Sequence, residues 1–123
     1  MKKKRFSIVF PVYQNGKNLP YLAKEIEDFI NSFDKYDLEF IFVDDGSTDD
    51  SLKQMQNLKD NFGSQVKLIQ LSKNFGQGPA MRCGWKFASG DYIGNISSDQ
   101  QDPLILFKKM LKLVDINTEI VLA

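Results

Sequence analysis

The alternation of short, continuously apolar runs with amphipathic segments constrains the fold of this sequence more than any other feature. The apolar runs are rich in β-branched and aromatic residues, and amphipathic segments with helical spacing lie between them. Strands that are apolar on both faces alternate with helices in parallel sheets. The sequence therefore predicts an α/β fold in which helices cover both faces of a mostly parallel sheet. The predicted strands are residues 6–10, 40–43, 66–71, 92–96 and 119–122.

Four helices are predicted between these strands, and turn-forming residues mark some of their ends. Gly90 is a C-terminal stop for the third helix, while Asp102 and Pro103 form the N-cap and first position of the fourth. The predicted helices are residues 20–33, 49–62, 76–89 and 104–114. We expect residues 1–123 to form a single domain truncated at its fifth strand, and an unfinished strand edge favours self-association.

Composition excludes several classes of function. Sixteen basic residues balance sixteen acidic ones, so no net field attracts a nucleic-acid partner. The sequence has no histidine, which excludes histidine-based catalysis and histidine-ligated metal sites. Its single cysteine, Cys83, cannot form an internal disulfide and fits a reducing, cytoplasmic compartment. No stretch reaches the ~18 apolar residues of a membrane-spanning helix.

A run of basic residues, 2–5, precedes the first apolar stretch. This arrangement is not a signal peptide, because Ser7 and Pro11 interrupt the apolar stretch and no small-residue cleavage site follows. Two interpretations of the cations remain open. They form either a solvated tail or a contact with an anionic membrane surface, to which each cation contributes ~1 kcal/mol.

Aromatic and charged side chains stand just after the first four predicted strands: Tyr13, Asp44, Asp45, Lys73 and Asp99. In an open parallel sheet, ligands bind beyond the carboxyl ends of the strands. A tyrosine ring there can stack on a base, and the Asp45 carboxylate can accept hydrogen bonds from its N–H groups. Asp99 is a hard oxygen ligand for Mg²⁺ or Mn²⁺, and substrate phosphates and water would complete the coordination shell of the metal.

Each of these residues also has a purely structural interpretation. Tyr13 could close the end of the sheet, and residues 44–47 could form only a turn and a helix cap. Asp49 is better explained as a charge in the first turn of a helix. Residues 76–78 do not form a dinucleotide-binding loop, because Met81 stands where that loop requires its third glycine.

Four segments resemble family 2 glycosyltransferases, closest to the branch similar to dolichol- or polyprenyl-phosphate sugar synthases. They are residues 10–13, 43–49, 71–76 and 99–103, in the same order and spacing as in that family. The resemblance implies a GT-A fold, a Rossmann-like arrangement that binds a nucleotide-diphosphate sugar linked to UDP or GDP. It also implies an enzyme of cell-envelope polysaccharide synthesis that transfers the sugar with metal assistance and with inversion at the anomeric carbon. The implied acceptor is a polyprenyl phosphate at a membrane surface or a glycan.

The resemblance also implies a set of site residues. Asp99 corresponds to the last acid of an Asp-x-Asp metal motif, and Gln101 stands where the branch has a glutamine near the metal. The expected metal ligands are therefore Asp99 and Gln101, for Mg²⁺ or Mn²⁺. The expected nucleotide-binding residues are Pro11, Tyr13, Asp44, Asp45, Lys73 and Asp99.

The sequence departs from the branch at the metal motif, where Ser97 replaces the first acid and Gln100 replaces a leucine. Loss of one carboxylate weakens metal affinity or makes the contact water-mediated. Acceptor-side residues are expected beyond Ala123, so the chain is expected to bind donor without turnover. A non-catalytic nucleotide-binding or scaffold protein remains the alternative. A phospho-acceptor receiver domain is disfavoured, because it needs an aspartate where residues 71–73 have none.

Overall fold

A computed structural model describes residues 3–32 and 36–95 of the chain. Strands and helices alternate along these residues, as the sequence predicts, and a short 3-10 turn precedes the third strand. The predicted fourth helix and fifth strand lie outside the described residues. The strands are β1 (Lys4–Val12), β2 (Tyr36–Asp44), β3 (Val66–Gln70) and β4 (Tyr92–Asn95), and the helices are α1 (Leu19–Ser32), α2 (Ser51–Phe62) and α3 (Gln77–Phe87).

The described strands form one parallel sheet in the order β3-β2-β1-β4, which confirms the predicted parallel architecture. Val12 lies opposite Asp44 at the carboxyl ends of β1 and β2. Beyond these ends, the Asp45 N–H donates to the Val12 carbonyl at 2.8 Å, and the Leu71 N–H donates to the Asp44 carbonyl at 2.9 Å. Three neighbouring strands therefore finish at one level, and the loops that follow them emerge side by side.

Helices cover both faces of the described sheet, because successive side chains of a strand point to opposite faces. On one face Phe10 and Phe42 stack with their ring centroids 4.8 Å apart, in a cluster that includes residues of α1 and α2. On the other face Val9 and Val43 pack with Ala80 of α3. The prediction of helices on both faces is confirmed. Within the described ranges, no helix is both long and apolar enough to cross a membrane.

One expectation about a helix end is wrong. Helix α3 ends at Phe87, because Ala88 adopts extended backbone angles while its N–H donates to the Trp85 carbonyl at 3.2 Å. Gly90 therefore does not cap this helix. A Cβ atom at Gly90 would lie 2.5 Å from Ser7 Oγ, so the glycine instead permits a close approach to β1.

A buried carboxylate, Glu39, joins the sheet to the segment that precedes β4. It accepts hydrogen bonds from Ser7 Oγ at 2.8 Å, Ser89 N–H at 3.0 Å and Ser89 Oγ at 2.9 Å, and pairs with Lys67 Nζ at 2.9 Å. Burial by itself raises the pKa of Glu39, but the hydrogen bonds from Ser89, Lys67 and Ser7 lower it to about 2. The residue therefore stays charged inside the protein.

Candidate functional site

An open cleft of about 220 Å³ lies at the carboxyl edge of the described sheet, among the loops that follow β1, β2 and β3. Of the site residues predicted from the sequence, it brings together Pro11, Tyr13 and Asp45. This is the edge at which ligands of open parallel sheets bind. The lining residues that were not among the predicted site residues are Val12, Asn74, Gly76 and Gln77.

Tyr13 supplies an exposed aromatic surface to this cleft. It is the first residue after β1, its N–H donates to Asn15 Oδ1 at 2.8 Å, and the residue is 44% exposed. Such exposure argues against the alternative in which the ring only closes the end of the sheet. An exposed ring beside a cleft is available to stack on a planar base.

Asp45 supplies a carboxylate that is only 4% exposed. Its Oδ1 accepts a hydrogen bond from the Phe75 N–H at 2.7 Å, and its Oδ2 accepts one from the Gly76 N–H at 3.0 Å. These two bonds attach the loop after β3 to the end of β2. An ionised carboxylate has about four acceptor positions, so each oxygen retains the capacity to accept a further hydrogen bond from a ligand.

Gly46 permits the close contact between these two loops. Its φ of 75° lies in the left-handed region that favours glycine. A Cβ atom there would lie 2.5 Å from the backbone nitrogen of Asn74 and 2.6 Å from the carbonyl carbon of Lys73. A larger residue would therefore separate Asp45 from the amides that it binds.

Two predicted site residues, Asp44 and Lys73, are described but do not line the cleft. Asp44 is 1% exposed and accepts long contacts of 3.3 and 3.4 Å from the Ser47 N–H. Lys73 is exposed, with its Nζ 5.2 Å from the centroid of the Phe75 ring. Asp99 and Gln101 lie outside the described residues.

Asp49 joins the loop after β2 to the loop after β1. Its Oδ1 accepts from the Ser51 N–H at 3.0 Å and from Ser51 Oγ at 2.5 Å, and its Oδ2 accepts from the Gly16 N–H at 3.0 Å. Burial alone raises the pKa of Asp49, but these hydrogen bonds lower it. The expectation that Asp49 belongs to a first helical turn is wrong, because α2 begins at Ser51 and Asp49 forms a turn ahead of it.

A metal site is not complete within residues 3–32 and 36–95. These ranges contain no group of three or more aspartate, glutamate or cysteine side chains that could hold a metal ion. The predicted ligands Asp99 and Gln101 fall beyond them. What the described cleft combines is an aromatic face, a carboxylate and the amide side chains of Asn74 and Gln77. These groups suit the recognition of a planar, hydrogen-bonding ligand.

Comparison with protein families gives a match over nearly the whole chain. The family model described as glycosyl transferase family 2 matches residues 7–123. The chain is 33% identical over 112 residues to CsbB of Bacillus subtilis (strain 168), an alignment that covers 91% of the chain. It is 31% identical over 115 residues to an undecaprenyl-phosphate 4-deoxy-4-formamido-L-arabinose transferase of Pseudomonas syringae pv. syringae (strain B728a), with 94% of the chain covered.

A solved structure has the same fold. The crystal structure of S. aureus TarS 1-349 in complex with UDP-GlcNAc matches with a TM-score of 0.72 and 26% identity, over 93% of this chain and 32% of that one. The predicted α/β architecture is thereby confirmed. The chain spans only about a third of the length of these relatives, 33% of CsbB and 34% of the arabinose transferase.

Proposed function

Because the chain belongs to glycosyl transferase family 2 and has a GT-A-type fold, we propose that it binds the donor of a sugar transfer, a nucleotide-diphosphate sugar. The observation that carries this proposal is the cleft in which the exposed Tyr13 ring and the buried Asp45 carboxylate meet at the carboxyl edge of the sheet. TarS, whose fold the chain shares, has been crystallised with UDP-GlcNAc.

The hydrogen-bonding groups of the cleft suit a base edge that carries a donor beside an acceptor. The Asp45 carboxylate can accept from the donor. Asn74 Oδ1 accepts from the Gly76 N–H at 3.0 Å, which leaves its amino group to donate to the acceptor. Uracil and guanine present a ring N–H beside a carbonyl, whereas cytosine and adenine present an exocyclic amino group beside a ring nitrogen, so the two kinds of base would need different positions in the cleft. The choice of a donor sugar linked to UDP or GDP follows the resemblance to family 2 glycosyltransferases and the UDP-GlcNAc complex of TarS.

A divalent cation, Mg²⁺ or Mn²⁺, completes the proposed donor site. The residues that would hold it are Asp99 and Gln101, which follow the last described strand in the sequence. Oxygen ligands from one carboxylate and one amide suit a cation that is otherwise coordinated by phosphates and water. When bound, the cation neutralises the charge that develops on the leaving diphosphate.

The proposed acceptor is a polyprenyl phosphate at a membrane surface. This follows from the resemblance to lipid-phosphate sugar synthases and from the relatives that act as undecaprenyl-phosphate transferases. A phosphate acceptor is already an anionic nucleophile, so its attack on the anomeric carbon, with inversion, requires no general base.

A non-catalytic nucleotide-binding protein remains the second candidate, and Ser97 in the metal motif favours it. Transfer of labelled sugar to a polyprenyl phosphate, by a protein that also carries the acceptor-side residues, distinguishes the two.

Calorimetric titration of the chain with UDP, GDP, CDP and ADP in the presence of Mn²⁺ tests the donor site. We expect UDP or GDP to bind more tightly than CDP and ADP. Substitution Tyr13→Ala should weaken binding by roughly tenfold, because stacking of a base on an aromatic ring contributes ~1–3 kcal/mol.

The matched control is Tyr21→Ala, which removes a tyrosine that is 77% exposed on α1 and does not line the cleft. This variant should bind as the wild type does. Equal affinity for all four nucleotides would overturn the proposed base recognition, and no binding of any of them would overturn the donor site itself.

A further inference from the structure

Gln14, next to a candidate base-binding residue, has an unusual backbone conformation. It follows Tyr13 directly, and its φ is 55°, which makes it the one non-glycine residue with positive φ in the described part of the chain. L-residues with side chains avoid this region, so they persist there only where the surrounding contacts hold them. The contacts that hold Gln14 all come from the loop after β2.

Every polar group of the Gln14 side chain, and its backbone N–H, is used in these contacts. Oε1 accepts from the Thr48 N–H at 2.8 Å and from the Asp49 N–H at 3.1 Å, while Nε2 donates to Thr48 Oγ1 at 2.8 Å. The backbone N–H donates to Ser47 Oγ at 2.9 Å. Four hydrogen bonds thus join this single residue to three consecutive residues of the neighbouring loop.

The following two residues extend the same connection. The Asn15 N–H donates to Ser51 Oγ at 2.8 Å, and the Gly16 N–H donates to Asp49 Oδ2 at 3.0 Å. We call residues 14–16 and 47–51 together the inter-loop clasp. Tyr13 immediately precedes one half of this clasp, and Asp45 lies two residues before the other half. The clasp therefore links the backbone next to the tyrosine to the backbone next to the carboxylate.

We propose that Gln14 is a positioning residue of the donor site, which fixes the separation between the Tyr13 ring and the Asp45 carboxylate and so the width of the slot that receives the base. This inference rests on the proposed function, because it concerns the same nucleotide. Gln14 does not line the cleft, so it acts through Tyr13 rather than by contact with the ligand.

A purely structural role makes a different prediction. Gln14 Oε1 binds amides just ahead of α2, whose N-cap residue Asp50 makes no side-chain cap hydrogen bond. If Gln14 served only to stabilise the start of this helix, its loss would lower thermal stability and leave nucleotide affinity in the folded protein unchanged. Affinity for the nucleotide, measured on folded protein, separates the two roles.

Three substitutions of Gln14 test the proposal by titration with UDP and GDP. Gln14→Ala removes the side-chain hydrogen bonds and keeps the backbone strain. It should weaken nucleotide binding by roughly tenfold, because a displaced Tyr13 ring loses much of its stacking interaction with the base. Gln14→Gly removes the same bonds but tolerates positive φ, so it should fold at least as well as the alanine variant and bind equally weakly. Gln14→Glu keeps an acceptor for both amides and should restore most of the affinity.

The control is Gln54→Ala, which removes a glutamine whose Nε2 donates to Asp50 Oδ2 at 3.1 Å on the exposed side of α2. It should bind nucleotide as the wild type does. A double substitution Tyr13→Ala with Gln14→Ala should bind no more weakly than Tyr13→Ala alone, because Gln14 acts through that ring.

The outcomes separate this inference from the proposed function. Failure of the wild-type chain to bind UDP or GDP overturns the proposed function, and the inference with it. If the wild type binds and the folded Gln14→Ala and Gln14→Gly variants bind with the same affinity, the inference alone is overturned. Fully additive losses of affinity in the double variant would also overturn the inference alone.

Discussion

The carboxylate of Asp45 combines two tasks in one side chain. Its oxygens hold the amides of Phe75 and Gly76 at 2.7 and 3.0 Å, and it is also the acceptor that faces the cleft. The geometry of the cleft and the proposed hydrogen bonding to a base therefore depend on the same atoms. Substitutions of Asp45 should accordingly change stability and specificity together.

We predict that Asp45→Ala destabilises the protein by ~1–3 kcal/mol, because two amides lose a charged acceptor in a nearly buried position. The same variant should lose its preference for UDP and GDP over CDP and ADP. Urea unfolding and nucleotide titration measure the two effects.

Asp60→Ala is the matched control for this prediction, since Asp60 is exposed on α2 and accepts one bond from Gln56 Nε2 at 3.0 Å. Its effect on unfolding should be small, and its base preference should equal that of the wild type. If Asp45→Ala unfolds like this control, the Asp45 bonds to the loop contribute no stability.

At the residue scale, sequence reasoning found some of the groups that line the cleft but not those that hold them. Tyr13 and Asp45 were predictable because the residues that follow parallel strands meet at one edge of a sheet. The contacts of Gln14 were not predictable, since its partners Thr48 and Asp49 lie more than thirty residues away and only the folded loops bring them together. Asn74 was missed as a cleft-lining residue for the same reason, because it reaches the cleft through a loop held by Asp45.

At the scale of secondary structure, apolar patterning located each described strand and helix but not all of their ends. The sequence predicts the first strand at residues 6–10, whereas β1 runs from Lys4 to Val12. Sheet hydrogen bonding continues through exposed and polar residues, while apolar patterning marks only the buried stretch. The same limit applies to β2, which begins at Tyr36 with a partly exposed end that its apolar run does not show.

Buried polar contacts between elements are the other feature that patterning misses. Glu39 lies within the apolar strand β2, yet it is 3% exposed and receives its bonds from β1, β3 and the segment after α3. Its serine partners carry no sequence signal of their own. Only the register of β1 against β2, which pairs Ser7 with Glu39, brings these groups together.

The lowered pKa of Glu39 predicts how acid affects stability. Its folded pKa of about 2 lies below its ordinary value of 4.5, so the charged form stabilises the folded protein above pH 4.5. That contribution is lost as the pH falls from 4.5 towards 2, and a depression of this size corresponds to as much as about 3 kcal/mol.

Unfolding free energies of wild type and Glu39→Gln should therefore differ most near neutral pH and converge below pH 4.5. Glu27→Gln, at an exposed position on α1, is the matched control and should change the unfolding free energy near neutral pH far less than Glu39→Gln does. A gap between wild type and Glu39→Gln that stays constant down to pH 2 would contradict the role assigned to this carboxylate.

At the scale of the whole molecule, the proposed donor recognition is divided between two parts of the chain. The described loops after β1, β2 and β3 form the cleft proposed for the base, and the residues after β4 in the sequence include the predicted metal ligands. Sequence reasoning succeeded at this scale because a parallel sheet covered by helices on both faces follows from the repeated strand–helix unit. The relative positions of the loops depend on contacts such as the inter-loop clasp, which the repeat itself does not encode.

This division predicts that base binding and metal dependence can be changed separately. Asp99→Ala should abolish the enhancement of UDP or GDP binding by Mn²⁺, because it removes the one carboxylate of the proposed metal site. Binding measured without metal should remain, since it depends on the Tyr13 and Asp45 side of the cleft.

Ser97→Asp should have the opposite effect and strengthen Mn²⁺-dependent binding, because a second carboxylate adds a charged oxygen ligand for a hard cation. Titration of each variant with UDP and GDP, with Mn²⁺ and with a chelator, measures both components. Mn²⁺-dependent binding that survives in Asp99→Ala, or an Mn²⁺ affinity that Ser97→Asp leaves unchanged, would show that the cation is held by other residues.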